Sequence, residues 1–196
     1  QFDLDTPSDL AVLSLVEGLA PELAEAAHPA SGAAVRYRAL MPFLCDRTAE
    51  VLVAGRVGSQ AWQYLERETA CRVRVISEER GMAAAGAEHR ARSVLGFLLE
   101  EVGPERFFQR MAELGDAAVI DTRVIEAHLR VTPSREDRFQ SDLLAADAIE
   151  DEFLRRFTAA AAQAPIPVLL GGHSLVSGGL MALNDAAWLE NDRRMG

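Results

Sequence analysis

Ile166-Pro167-Val168-Leu169-Leu170-Gly171-Gly172-His173-Ser174-Leu175-Val176-Ser177-Gly178-Gly179-Leu180-Met181-Ala182-Leu183 is the stretch that decides the fold. A short apolar run ends in a glycine pair. A polar turn follows, then a second glycine pair and apolar residues at helical spacing. That order predicts a strand over 166–170, a tight turn and a helix. An uninterrupted apolar run is the pattern of a parallel strand buried on both faces, and Pro167 fits only at its start. Gly171 and Gly172 let a ligand approach the main chain. In open α/β sheets, ligands bind outside the carboxyl ends of the strands. The stretch therefore locates a site before it says anything about chemistry.

The same alternation runs upstream. A strand is expected over 50–54, a turn at Gly55–Ser59 and a helix over 60–68. A second strand over 71–77 is followed by Glu78-Glu79-Arg80-Gly81 and a helical stretch over 82–102 that ends at Gly103. Pro104 opens the next helix, to about Leu114, as suits proline at a helix start. A strand over 117–120, a short helix over 122–129 and a helix over 151–164 complete the pattern. Short strands separated by helices predict an α/β fold: a three-layer Rossmann-like domain with a mostly parallel sheet of about four strands. Right-handed crossovers place every strand-to-helix loop on one edge.

Ahead of the first strand, residues 8–27 read as helical, with Ser8 as N-cap and Leu10, Leu13, Val16, Leu19 and Leu23 at helical spacing; Pro21 divides them. After a turn at 28–32, a helix over 33–44 directs Val35, Leu40 and Leu44 to the core, and Pro42 limits its length. No repeat, linker or boundary interrupts the chain. Residues 1–196 read as one α/β domain, with 1–48 an N-terminal helical segment packed on the sheet or on the partner subunit of a homo-oligomer.

The chain has 196 residues, which suits one substantial core. No apolar run approaches the ~20 residues that span a bilayer, and the polar start shows no signal peptide. A net charge of −10 argues against a nucleic-acid backbone and an anionic membrane surface as partners. All 20 basic residues are arginine, as the codon bias of a GC-rich bacterial genome produces. Schiff-base and Walker-type lysine chemistry is therefore excluded. Cys45 and Cys71 form no Cys-x-x-Cys pair, which points away from a disulfide framework or zinc ribbon and toward a reducing, cytoplasmic location.

Gly55-Arg56-Val57-Gly58 follows a strand and opens a helix, a context that suits phosphate binding at a helix N-terminus by Gly55, Gly58 and Ser59. Glu78 follows the second strand, where a dinucleotide fold carries its ribose-binding carboxylate. The segment Ala54–Glu78 thus resembles a nucleotide-binding Rossmann unit. It departs from it at Val53, which stands where the first glycine of Gly-x-Gly-x-x-Gly belongs; the bland alternative is a generic turn with an exposed Glu.

Gly172-His173-Ser174 resembles part of a hydrolase nucleophile elbow. Val176 replaces the small residue that the elbow needs two places after the serine, and no histidine follows Ser174. Upstream, His128 is a candidate partner only in another fold. Ser174 and Ser177 either present hydroxyls to an anion, beside the backbone N–H groups of Gly171 and Gly172, or cap the next helix. Asp121, in Asp121-Thr122-Arg123, suits metal binding or general-base work at a strand's carboxyl end, and equally an N-cap. His89 and His128 do not stand in His-Glu-x-x-His spacing, so no zinc is expected. Arg72 and Arg74 alternate along the second strand, as on an edge with one wet face, or to meet acidic partners. Arg135–Arg138 reads as a solvated charge run.

These readings converge on a small-molecule site at the carboxyl edge of the sheet that takes a nucleotide or other anionic ligand. Gly55, Gly58, Ser59, Glu78, Gly171, Gly172, Ser174 and Ser177 are its candidate binding residues. His173, Ser174 and Asp121 are the candidates for an unassigned enzymatic reaction. The competing class is a non-catalytic binding or assembly module whose glycine-rich loops only pack helices on strands; a serine hydrolase using Ser174 is a third reading.

Overall fold

Helices α1 (Pro7–Leu13), α2 (Pro21–Ala27) and α3 (Ala34–Leu44) precede strand β1 (Glu50–Gly55). Helix α4 (Ser59–Glu68) leads to β2 (Arg72–Ser77), and α5 (Val94–Leu114) to β3 (Ala117–Asp121). Helices α6 (Arg123–Leu129), α7 (Arg135–Asp142) and α8 (Glu152–Ala162) lead to β4 (Val168–Gly171). A π-helical turn at Leu175–Gly179 then runs into α9 (Leu180–Met195). This computed structural model describes residues 6–28, 33–78 and 91–196. Residues 29–32 of the turn expected over 28–32, residues 79–81 of the turn expected after the second strand, His89 and the first part of the helix expected over 82–102 lie outside the described residues.

The four strands are mutually parallel, in the order β2-β1-β3-β4. Val51 stands opposite Val73 on one side and Ala117 on the other, and Ala118 opposite Val168. Successive side chains of a strand point to opposite faces, and both faces are covered. Val51 and Val53 pack with Leu40 and Leu44 of α3, Leu65 of α4 and Leu183 of α9. Leu52 and Ala54 pack with Leu99, Phe107 and Phe108 of α5, Ile125 of α6 and Phe157 of α8. Burial on both faces is why the central strands read as continuous apolar runs. Ala11 and Val12 of α1 join the first of these layers, so α1 and α3 share the core of the sheet.

At the edge, β2 stays wet. Arg74 donates to Glu50 at 2.6 Å and to the Leu114 carbonyl at 3.1 Å, and Arg72 lies 3.7 Å from Glu50. Both alternatives for this strand therefore hold. Charges along an exposed edge also discourage pairing with another chain. Among the described residues no helix is long and apolar enough to cross a membrane.

Several local expectations are corrected. The first helix is capped by Thr6 rather than Ser8: Thr6 accepts from the Asp9 amide while Asp9 accepts from the Thr6 amide, and Pro7 takes the first helical position. Helix α1 ends at Leu13 and Pro21 opens α2, which leaves Leu23 exposed. Val35 is 68% exposed. The buried stripe of α3 is Tyr37, Leu40, Met41 and Leu44, and Val35, two residues from Tyr37, falls on the far side of the helix. The kink at Gly103, whose φ is +76°, divides α5 as proposed. The charge run at Arg135–Arg138 is not merely a solvated face. It opens α7, capped by Ser134, and Asp137, Ser141 and Asp142 are buried. Asp137 accepts from the Glu150 and Asp151 amides at 2.8 and 3.2 Å. A helix whose inward face is polar carries no apolar period for a sequence reading to detect.

Candidate functional site at the carboxyl edge of the sheet

The strand order reverses between β1 and β3. From β1 the chain passes into α4 on one face of the sheet; from β3 it passes into α6 on the other. Connections that diverge in this way leave a crevice at the carboxyl ends of the two strands, the usual ligand position in open α/β sheets.

Asp121 ends β3 at that switch point, and its side chain is wholly buried. It accepts from Arg56 Nε at 2.6 Å and Arg56 Nη2 at 3.0 Å, a bidentate pair. It also accepts from the backbone amides of Arg56 at 3.3 Å and Arg123 at 3.2 Å. One carboxylate thus ties the ends of β1 and β3 together. The remaining guanidinium nitrogen, Arg56 Nη1, donates to no described residue, and the side chain is 29% exposed.

Gly55 makes this approach feasible. Its φ is +128°, and a Cβ there would stand 2.3 Å from Asp121 Cβ. The glycine is required by the neighbouring strand rather than by a phosphate. Gly58 precedes α4 with extended angles and no side-chain cap, leaving the first amides of α4, starting at Ser59, without a capping side chain.

Beyond Asp121, Arg123 anchors a buried polar cluster. Its guanidinium donates to Thr122 Oγ1 at 2.7 Å, Glu126 at 3.1 Å and Asp142 at 2.5 Å. Arg138 reaches the other oxygen of Glu126 at 2.7 Å. Burial disfavours the Arg123 charge, but Asp142 and Glu126 outweigh it and hold the group firmly protonated. For Asp142 burial dominates: it pushes the carboxyl up to about 6 against the pull of Arg123, and Glu126 and Asp9 push the same way. Asp142 Oδ1 has no hydrogen-bond partner among the described residues. Burial likewise raises the Tyr37 phenol, and the Asp142 charge adds to it.

Past β4, Gly171 is packed shut, because a Cβ there would meet Leu175 Cδ2 at 2.7 Å. Gly172 is open: its nearest contact would be Arg123 Cγ at 4.0 Å. Ser174 has ordinary right-handed helical angles and donates to Asp9 of α1 at 2.8 Å. That is neither a helix cap nor the strained turn of a nucleophile elbow. Ser177 donates back to the His173 carbonyl at 2.6 Å and has φ −125°, ψ −109° inside the π-helical turn. His173 sits half-buried in the turn between Gly172 and Ser174. The Gly179 amide bonds to the Ser174 carbonyl at 2.9 Å, the long spacing that makes the turn π-helical.

Comparison of the chain with protein-family models, curated proteins and solved structures finds no match.

The structure brings Gly55, Asp121, Gly172 and Ser174 to the one edge. Glu78 faces elsewhere: it is buried, and Oε1 accepts from Ser93 Oγ at 2.7 Å and the Leu95 amide at 3.2 Å, fastening the start of α5. Glu78→Ala is expected to cost about 2 kcal/mol, since a buried amide and hydroxyl lose their acceptor. Urea denaturation checks this; unchanged stability with weakened nucleotide binding would instead make Glu78 a ligand contact. His128 is also structural. The Ser93 amide donates to its Nδ1 at 3.0 Å, so Nε2 carries the proton toward Glu100 at 3.1 Å. Among the described residues, no three of His, Cys, Asp or Glu are grouped to hold a metal ion.

Sequence reasoning missed Arg56 and Arg123 as site residues, although Arg56 directly follows β1 and Arg123 stands two residues past the end of β3, both at the carboxyl ends of buried strands. Asp142 and Asp9 carried no such signal; chain folding alone brings them to the cluster.

Proposed function

We propose that this chain binds a small anion, or the anionic group of a small molecule, in the crevice between the ends of β1 and β3. The observation that carries the reading is Arg56. Asp121 holds two of its nitrogens in a fixed plane at the point where strand order reverses, and the third is left toward a partly open surface. A guanidinium oriented in advance binds an oxyanion without first losing its own freedom. The uncapped start of α4 and the open face of Gly172 beside Arg123 provide the other walls. The position of Glu78 favours a simple oxyanion over a dinucleotide, whose ribose needs a carboxylate directed at it. An enzymatic step is not part of this reading.

Sulfate, phosphate and nucleotides screened by thermal shift test it, because a ligand at 100 times its Kd adds about 2.7 kcal/mol of stability. Gly172→Val is the diagnostic variant. Its backbone is outside the left-handed region and its Cβ direction is open, so valine is expected to leave the melting temperature within a few degrees while obstructing the crevice and abolishing sulfate binding. Wild-type affinity in the variant would remove the glycine-rich turn from the site. A wild-type protein stabilised by none of these anions would favour the assembly module, in which Asp121, Ser174 and Ser177 act only through their internal bonds.

A further inference from the structure

We propose that anion binding at this edge is coupled to proton uptake by Asp142, with Arg123 as the shared partner; the inference rests on the anion site just described. Arg123 belongs to both places. Its stem passes beside Gly172, and its guanidinium is the only charged group hydrogen-bonded to Asp142 among the described residues. The charged and titratable groups around Asp142 come from several elements: Asp9 from α1, Arg36 and Tyr37 from α3, Arg123 and Glu126 from α6, and Arg138 from α7 itself. Ser141 and Thr158 close the α8 side without charge. The carboxylates acting on Arg123 are Asp142, Glu126 and Asp121, and Asp9 acts on Asp142; Arg138, partly exposed, pairs with Glu126, while Arg36 lies exposed and donates to the Leu143 carbonyl.

An anion at Gly172 adds a further negative charge and draws on the guanidinium that neutralises Asp142. Both effects favour the neutral carboxyl. The unpartnered Oδ1 is the atom that can take the proton without breaking the bond that Arg123 donates to Oδ2. By linkage, a proton on Asp142 strengthens anion binding by the same factor that the anion strengthens the proton's. Since burial already pushes this carboxyl up to about 6, the coupling operates across neutral and mildly acidic pH. The sign for the free protein follows as well. A carboxyl raised by folding contributes stability that is fully present below its unfolded pKa near 4 and is lost as pH rises through about 6.

Sulfate is the probe, because it keeps its charge through this range and any pH dependence belongs to the protein. Titration calorimetry between about pH 5.5 and 7.5 is expected to show affinity rising about fivefold or more toward the acid end. Asp142→Asn should bind sulfate with a flat profile, while His173→Gln, which removes the titratable group of the glycine-rich turn, should keep the slope. In the wild-type protein, the Asp142 carboxyl carbon followed by NMR should titrate near 6 and move up when sulfate is added. If sulfate binds but that resonance does not move, or Asp142→Asn keeps the slope, the coupling is wrong and the anion site stands. If sulfate binds at no pH, the anion site itself fails, and the coupling with it.

Discussion

Gly55→Ala is expected to lower the stability of the fold by about 4 kcal/mol, combining left-handed backbone strain with overpacking. The added Cβ would lie 2.3 Å from Asp121 Cβ and 3.2 Å from Asp121 Cα. These are atoms at the root of a buried side chain, not the far end of a flexible one, so relief requires β1 and β3 to part at their carboxyl ends. The backbone adds its own cost, because φ is +128°. For a chain of this size the loss corresponds to a fall of about 12 °C in Tm. The control is Gly172→Ala, whose Cβ meets nothing closer than Arg123 Cγ at 4.0 Å. It is expected to change stability by no more than about 0.5 kcal/mol. Similar losses in the two variants would mean that the contact of Gly55 with Asp121 is not what requires glycine.

Asp121→Ala is the second large effect, expected to cost about 3 kcal/mol, near the lower end for breaking a buried ion pair because Arg56 retains some access to water. The loss is of one carboxylate with four donors. Arg56 Nε and Nη2 lose their partner, and so do the Arg56 and Arg123 amides. The anion site is expected to weaken as well. Without Asp121 the Arg56 side chain is free to rotate, and sulfate affinity should drop about tenfold as orientation is lost. Asp121→Asn, which keeps an acceptor and drops the charge, should fall between alanine and wild type in both measurements. Urea denaturation and sulfate calorimetry on the same preparations separate the two roles. A loss of stability with unchanged affinity would make the Arg56–Asp121 pair a structural clasp only.

Both effects come from contacts between residues far apart in the chain, and this divides what could be read early from what could not. The apolar runs at 50–54, 117–120 and 166–170 and the alternating strand at 71–77, each followed by turn residues and a helical period, were sufficient for a parallel α/β sheet with its loops on one edge. Burial on two faces demands continuous apolar strands, and that demand is local enough to be written in sequence. The glycine-rich turn after β4 was legible for the same reason. Strand order was not: nothing within a strand names its neighbour, and the placement of β3 beside β1 is what puts the switch point at Arg56 and Asp121. The roles of individual polar residues were still less legible. Glu78 reads as an exposed acid after a strand, yet it is buried and fastens the start of α5. Ser174 reads as a cap, yet it donates to Asp9 from the other end of the chain. Asp142 lies four residues past a charge run that reads as solvated, yet its side chain is buried against Arg123. Hydrophobic periodicity is a property of neighbouring residues and survives in sequence alone. The partner of a buried charge is chosen by chain closure over many residues, and only the tertiary structure decides it.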